Sequence, residues 1–466
     1  MVDPSDVQTV LTRSYAKALA AVLLFNIQDP ALCRRFLRTW LPLVPNGLLD
    51  RDPDSPIVHF YFSWPGLQQL LRSDPTLDVA KGRSELEWAF TDESQAPDQM
   101  AMRDQLGLVG ASGSENWWNR NFATADIHLA LHVFLDDEQQ KTDVLGKIRL
   151  SAAANGLREL QVPSLPDKAL SGFRPADGRL HFGYRDGITS PNVDWHDRGD
   201  HDAVNVREFL VGYPTDVYPT SPQRPGPWQN FARNGAYVAL VWMHQDVARF
   251  DAFLEAHAAS AAQHVGQDAS KEWLAAKLMG RWRDGSPLAR YPDRSPPAPD
   301  LKAEFDYSDD ALGLRCPLTA HIRVANCRAQ PLSYANQRRF PNGSPRLIRR
   351  GFSYGPKLLG SDDDGVDRGL VGLFFFARLN EQFYTVLRWI QQTDFSDSFG
   401  DPPYAYTNQD GLLGNRGKSG AKPAAAIPLA SGGTLPMRLA DFVTYKGVSA
   451  FFAPSTTAIA AISEGA

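Results

Sequence analysis

Ala21-Val22-Leu23-Leu24-Phe25-Asn26-Ile27, followed by Gln28-Asp29, is the stretch on which the fold turns. It is an apolar run rich in β formers, then two polar residues, then a helical pattern through Phe36, Leu37 and Trp40. The same unit returns far along the chain. Ala236 to Met243 is again an apolar run, followed by Gln245-Asp246 and a helical pattern through Phe250, Phe253 and Leu254. Gln28/Gln245, Asp29/Asp246, Ala31/Ala248, Phe36/Phe253 and Leu37/Leu254 stand at one common offset. In both copies the aspartate is placed to accept from the free N–H groups of the helix that follows it.

A second echo runs beside the first. Ile127 to Phe134 is a strand pattern leading to Asp137-Glu138-Gln139, and Leu370 to Ala377 is one leading to Asn380-Glu381-Gln382. A helical stretch follows each. Two halves that both read strand, helix, strand, helix predict an α+β protein, each half an antiparallel sheet with helices on one face. Ser190 to Asn234 reads as a long connection with one short strand near Glu208–Tyr213. Ser286 to Glu304, with five prolines, and Thr393 to Ala424 read as further loops.

The composition excludes several function classes. A formal charge of −5 argues against a nucleic-acid or anionic-membrane partner, either of which favours a basic patch. No run of about 18 apolar residues is present to span a bilayer. The N-terminal stretch carries acids before its apolar run and has no twin arginine, so a cytoplasmic location is expected. Cys33, Cys316 and Cys327 form no C-x-x-C pair, which speaks against a covalently attached c-type haem and a cysteine zinc site.

Among the 10 histidines, His128 and His132 share a strand face with no carboxylate or cysteine to complete a metal site. His196 and His201 lie in an aspartate-rich loop and read as solvated. His321 stands apart, in Cys316-Pro317-Leu318-Thr319-Ala320-His321-Ile322-Arg323. It lacks the partner zinc needs, but one axial imidazole is what a peroxidase haem iron takes. Arg323 and Arg328 follow closely and are candidates to pair with haem carboxylates. Two more segments could carry chemistry. Arg349-Arg350-Gly351-Phe352-Ser353-Tyr354-Gly355 holds adjacent arginines, either a structural ion-pairing element or a site. Phe182-Gly183-Tyr184-Arg185-Asp186-Gly187-Ile188-Thr189 holds either an ordinary turn aspartate or a carboxylate fixed at a pocket.

Together these segments resemble the dye-decolourising peroxidase family, in its larger, fungal-like or cyanobacterial-like form. The resemblance rests on Gly183-Tyr184-Arg185-Asp186-Gly187, on Ala320-His321-Ile322-Arg323 with Asn326 and Arg328, and on Arg349-Arg350-Gly351 running to Tyr354-Gly355. Phe62-Ser63-Trp64-Pro65-Gly66-Leu67, Lys277-Leu278-Met279-Gly280-Arg281-Trp282 and Phe451-Phe452-Ala453-Pro454-Ser455 extend it over most of the chain. It implies two ferredoxin-like halves of the dimeric α+β barrel type, residues 1–200 ending in the Asp186 loop and residues 201–466 holding one non-covalent haem b. It implies a peroxidase that reduces hydrogen peroxide and oxidises organic donors such as dyes and phenolics. The assembly state is left open between monomer and homodimer.

The resemblance also assigns roles. His321 would be the axial iron ligand, with Asp410 of Asp410-Gly411-Leu412-Leu413 as its carboxylate partner. Asp186 would carry the peroxide proton, and Arg349 would stabilise the charge developed in O–O cleavage. Arg350 suits that position less, since neighbours on an extended stretch point oppositely. Leu373 and Phe375, two apart on a strand, would form the apolar distal wall. Thr319, Cys327, Ser353 and Gly411 depart from the residues common in the family. The alternatives are a haem carrier or haem-processing protein on the same fold, and a haem-free ferredoxin-like binding protein. A donor too bulky for a narrow distal pocket would be oxidised at the haem edge or through a surface Trp or Tyr. Eleven Trp and 14 Tyr leave that choice open, with Trp389 one candidate.

Overall fold

Nine strand segments carry the architecture: β1 (Leu19–Ile27), β2 (Ile57–Phe62), β3 (Leu129–Leu135), β4 (Leu170–Phe173), β5 (Ala236–Gln245), β6 (Ile348–Arg349), β7 (Phe352–Tyr354), β8 (Gly369–Phe376) and β9 (Val443–Ala453). The structure is a computed structural model. It describes residues 2–465 apart from 47–54, 197, 201–202, 215–224, 267–269, 303–304, 306, 311, 326–331, 335–336, 341–344, 393–408, 419–423 and 430–431. The expectations placed on His201, Asn326, Cys327 and Arg328, and on most of the Thr393–Ala424 loop, therefore lie outside the described residues.

The strands are antiparallel and close on themselves. Strands β4, β1, β3 and β2 pair in that order, as do β7, β8, β5 and β9, with β6 running into β7 along the same neighbour. Each set follows one rule of chain order: fourth, first, third, second, or its reverse. Among the described residues the sets meet edge to edge at Ser353 opposite Phe173 and at Phe452 opposite Phe62. The α+β class expected from the echoes is what the structure has. Two separate sheets are not: the halves share one closed eight-strand barrel. Closure removes the exposed strand edges that would otherwise template pairing with other chains.

The barrel has an inside. Tyr61 of β2 meets Phe375 of β8 at 5.7 Å, and His132 of β3 meets Phe352 of β7 at 6.2 Å. Neither pair lies on adjacent strands, so these side chains cross the interior. Directly paired residues share a face. The interior therefore also holds Leu373, which is opposite Leu240, and Trp242, which is opposite Val371.

Helices cover the outside. In α1 (Pro30–Trp40), Asp29 accepts from the N–H groups of Ala31 and Leu32, and in α2 (Val247–Val265) Asp246 accepts from Arg249. Phe36 of α1 packs on Phe25 of β1 at 6.1 Å. Phe36 and Leu37 are fully buried, each worth about 1.5–3 kcal/mol of apolar burial. Gln28, beside the first cap, bonds to the Asn26 side chain.

The helical stretch expected after β8 is present and opens as a single π turn, Leu379–Tyr384, before α3 (Thr385–Gln391). Gln382 Oε1 accepts from the N–H groups of Ala377 and Arg378. One local expectation fails. The strand expected near Glu208–Tyr213 is a 3-10 turn, Val206–Glu208, and an irregular segment with Gly212 at φ +90°. The backbone bonds Val211 N–H to Gly235 O and Asn234 N–H to Val211 O tie it to the turn just before β5.

Candidate active site

His321 opens α4 (His321–Ala325), a helix of barely more than one turn. Its Nδ1 bonds to Asp410 Oδ2 at 2.7 Å. The Asp410 side chain is wholly buried, and that of His321 is 20% exposed. Asp410 is itself fixed: its Oδ1 accepts from the N–H groups of Leu412 and Leu413, both at 2.8 Å. A carboxylate so held keeps the proton on Nδ1 and leaves Nε2 as a lone-pair donor on the exposed edge of the ring. Gly411 donates its N–H to Thr319 O at 2.8 Å, tying the Asp410 loop to the turn before His321. A proline at 411 has no N–H to give.

Arg323 does not face outward. Its guanidinium is enclosed at 0% exposure, paired with Asp310 Oδ2 at 3.0 Å and donating to the carbonyls of Cys316 and Asp310. It also lies over the Tyr307 ring at 4.4 Å. The expected partner of a haem carboxylate is instead an internal brace for the His321 segment. Cation and helix start are thus locked from below, and Asp310 is a residue the sequence reading missed.

The Asp186 loop is reached through a bracket, residues 280–285. At one end a Cβ on Gly280 would strike Ile322 Cγ1 at 2.4 Å, so the bracket touches α4. At the other, Arg185 N–H bonds to Arg283 O at 3.1 Å, and a Cβ on Gly285 would strike Ile188. Six residues thus span from the His321 helix to the Asp186 loop. Sequence reading had this bracket only as a stretch resembling the family. Asp186 sits between Gly183 at φ +86° and Gly187 at φ +79°, left-handed turns that reverse the chain on both sides of it. Asp186 is exposed, and among the described residues its carboxylate has no hydrogen bond.

Arg349 and Arg350 diverge as neighbours on a strand must. Arg349 is exposed on the outer face, and its Nη2 bonds to Thr189 Oγ1, three residues beyond Asp186. The cation and the acid's loop are therefore joined through Thr189, the last residue of the Phe182–Thr189 segment. Arg350 turns the other way and donates to the carbonyls of Val10, Leu11 and Arg13. Burial lowers its guanidinium to about 10, with Tyr15 and Tyr61 opposing.

Leu373 and Phe375 are not on Arg349's face. Arg349 pairs with Phe374, while Leu373 and Phe375 point into the barrel at 1% and 0% exposure. The period of two shows that the pair shares a face but not which face. The outer residues beside Arg349 are Phe374 and Gly372, both half-buried. The Phe374 ring folds back over Gly372, where a Cβ would stand 2.6 Å from it. Trp389 is half-buried on α3.

Among the described residues no group of three His, Cys, Asp or Glu side chains could hold a metal ion, and no helix is long and apolar enough to cross a membrane. One oriented imidazole with a buried carboxylate behind it, an acid and a guanidinium on a loop pair bracketed to it, and a half-covered outer sheet face make up the site. That donor set fits haem, which needs a single axial nitrogen and a flat apolar wall.

Fold and site together define a closed α+β barrel that carries one oriented imidazole, an acid and a guanidinium beside a half-covered sheet face. The dye-decolorizing peroxidase of Auricularia auricula-judae superposes with a TM-score of 0.78 over 99% of both chains at 21% identity. A dye-decolorizing peroxidase in complex with 2,6-dimethoxyphenol gives 0.76 over 99% of this chain and 100% of that one at 23% identity. At these identities the likeness is one of fold. In sequence the chain is related to the dye-decolourising peroxidases, fungal ones among them. It is 29% identical over 313 residues to dye-decolorizing peroxidase msp1 of Mycetinis scorodonius, covering 61% of this chain. It is 29% identical over 329 residues to the multifunctional dye peroxidase DyP2 of Amycolatopsis, covering 66%. The matched stretch spans 57% of the first relative and 67% of the second. These named relatives are oxidoreductases. No family model matches the chain.

Proposed function

We propose that the protein is a haem peroxidase that reduces hydrogen peroxide and oxidises organic donors of the dye and phenolic type. The observation that carries this reading is the 2.7 Å bond between His321 Nδ1 and the buried Asp410 carboxylate. Haem b, one per chain and held without a covalent bond, would supply a redox-active iron able to cleave a peroxide O–O bond.

The chain's own residues do the rest. His321 Nε2 would hold the haem iron, and Asp410 would keep that nitrogen electron-rich by accepting the opposite N–H. Asp186 takes the proton from the oxygen of peroxide that stays and returns it to the oxygen that leaves as water. Arg349 holds a fixed positive charge beside that transfer and stabilises the negative charge that develops as the O–O bond opens. Phe374 and Gly372 line the same outer face. The matching strand order of the two halves supports two ferredoxin-like units within the barrel, residues 1–200 and 201–466.

The test is the visible spectrum of the purified holoprotein before and after one equivalent of peroxide, repeated with Asp186→Asn. The expected result is a haem band that changes rapidly in the wild type and slowly in the variant. Haem bound without any response to peroxide would contradict the reading and favour a haem carrier.

A further inference from the structure

An acid that moves a proton between two oxygens has to stand at one place, yet the Asp186 side chain is exposed and, among the described residues, makes no hydrogen bond. Its position is set by the backbone of its turn, and one residue outside that turn grips it twice. The Arg283 carbonyl accepts the Arg185 N–H at 3.1 Å, and Arg283 Nε donates to Phe182 O at 3.0 Å. The two contacts fall on either side of Tyr184. Arg179 fastens the same knot, its Nη1 donating to Gly183 O and to Arg283 O, each at 3.0 Å. The Asp186 N–H closes the turn on Gly178 O at 2.9 Å.

The Arg283 side chain is itself aimed. Its Nη1 bonds to Glu272 Oε1 at 2.6 Å, on the helix Ser270–Met279, and its Nη2 lies 3.6 Å from Asp251 Oδ1 on α2. The guanidinium lies over the rings of Tyr184 and Phe250, 5.8 and 5.9 Å from their centres. Tyr184 is pinned in turn, its Oη donating to Ala275 O at 2.7 Å, and Phe182 packs on Phe250 at 4.6 Å. Gly183 makes room for this approach, since a Cβ there would stand 3.1 Å from both Cδ and Nε of Arg283. The first glycine of the Gly-x-x-Asp-Gly stretch thus serves the guanidinium as well as the turn.

An exposed ion pair contributes little to stability. The Arg283 side chain is only 21% exposed, and it holds a backbone carbonyl of the acid's turn besides its two carboxylates. It also belongs to the bracket 280–285, whose other end meets Ile322, the neighbour of His321. Arg283 therefore joins the acid's turn to the segment that touches the axial histidine's helix. A shift of about 1 Å in a reacting group is enough to cost about 10²-fold in rate.

Resting on the peroxidase reading, we propose that Arg283 is the positioning residue of the peroxide step: it clamps the Asp186 turn on both sides of Tyr184 and holds the acid in register with the His321 helix. Arg283 exchanges no proton and acts through Asp186. Its carbonyl contact survives any change of side chain. The side chain adds the hold on Phe182 O and the anchor to two helices.

The test is a double-mutant cycle on the full-length, haem-loaded protein, read as the second-order rate of the peroxide-driven change in the haem band. Arg283→Ala is expected to slow that rate by about 10- to 100-fold, with the iron–imidazole stretching frequency of the reduced protein unchanged. Arg283→Lys, which returns a cation and a donor, is expected to recover most of the rate. Asp186→Asn combined with Arg283→Ala is expected to match Asp186→Asn alone within about twofold, because a residue that acts through the acid has nothing to add once the acid is gone. If the alanine protein does not retain haem, Arg283→Gln takes its place in the cycle, with the same non-additivity expected. A rate equal to the wild type's in the variant tested, a lysine variant as slow as that one, or a double variant slowed by the product of the single losses would overturn this proposal alone. A wild type whose haem band ignores peroxide would overturn the peroxidase reading and this one with it.

Discussion

His321 and Asp410 are 89 residues apart in sequence and 2.7 Å apart in space, Nδ1 to Oδ2. The carboxylate is out of water, and its other oxygen is taken by two backbone N–H groups. The imidazole therefore has one orientation and one tautomer open to it.

Replacing Asp410 with Asn keeps the shape but removes the negative charge behind the imidazole. The expected outcome is retained haem, a weaker iron–imidazole bond, and peroxide reactivity lower by about 10–100-fold. The iron–imidazole stretching frequency in the reduced state, read together with the peroxide rate, checks this.

On the proposed mechanism, Asp186 would move the proton and Arg349 would stabilise the charge of the same transfer. Asp186→Asn should slow reaction with peroxide by about 10²–10⁴-fold, and Arg349→Leu by about 10²–10³-fold. Both variants should bind haem normally, since neither residue supplies the ligand. Stopped-flow rates against peroxide concentration separate the two effects.

Leu373 and Phe374 are adjacent but belong to different compartments. Leu373→Ala should cost about 2–5 kcal/mol of stability through a cavity inside the barrel and leave the peroxide rate nearly unchanged. Phe374→Ala should do the reverse, with little loss of stability and an altered binding of small haem ligands such as cyanide. Denaturant melts beside ligand titrations tell the cases apart.

His132 is buried in the barrel with its Nδ1 bonded to Tyr61 Oη at 3.0 Å, and burial holds it at about 3, against 6.5 for the free group. The folded value lies below the unfolded one, so the unfolded chain takes up the proton first as pH falls. Its contribution is whole above pH 6.5 and is lost progressively as pH falls from 6.5 to 3. The loss between pH 6.5 and 5 is about 2 kcal/mol. His132→Gln should flatten that part of the stability profile, measured by urea unfolding at a series of pH values.

Particular residues show what the sequence made legible. Asp29 and Asp246 cap their helices as read, because capping is settled within three residues of chain. Asp410 could be matched to His321 because both stand in recognisable segments. The face occupied by Leu373 and Phe375 could not be read, since period-two patterning fixes which residues go together and leaves the side to tertiary packing. Arg323 reads from sequence as a partner for a haem carboxylate because charge alone does not reveal a buried Asp310 waiting for it. Closure of the barrel rests on two single-residue bridges, Ser353 to Phe173 and Phe452 to Phe62, and leaves no periodic trace. The π turn after β8 is set by Gln382 folding back on Ala377 and Arg378, a contact that helix propensity does not encode.

The most direct test of the axial assignment is a His321→Gly protein loaded with haem and mixed with peroxide, with and without added imidazole. The account predicts that reactivity is lost in the variant and restored as imidazole occupies the vacated position. A variant that reacts with peroxide at the wild-type rate without imidazole would contradict it.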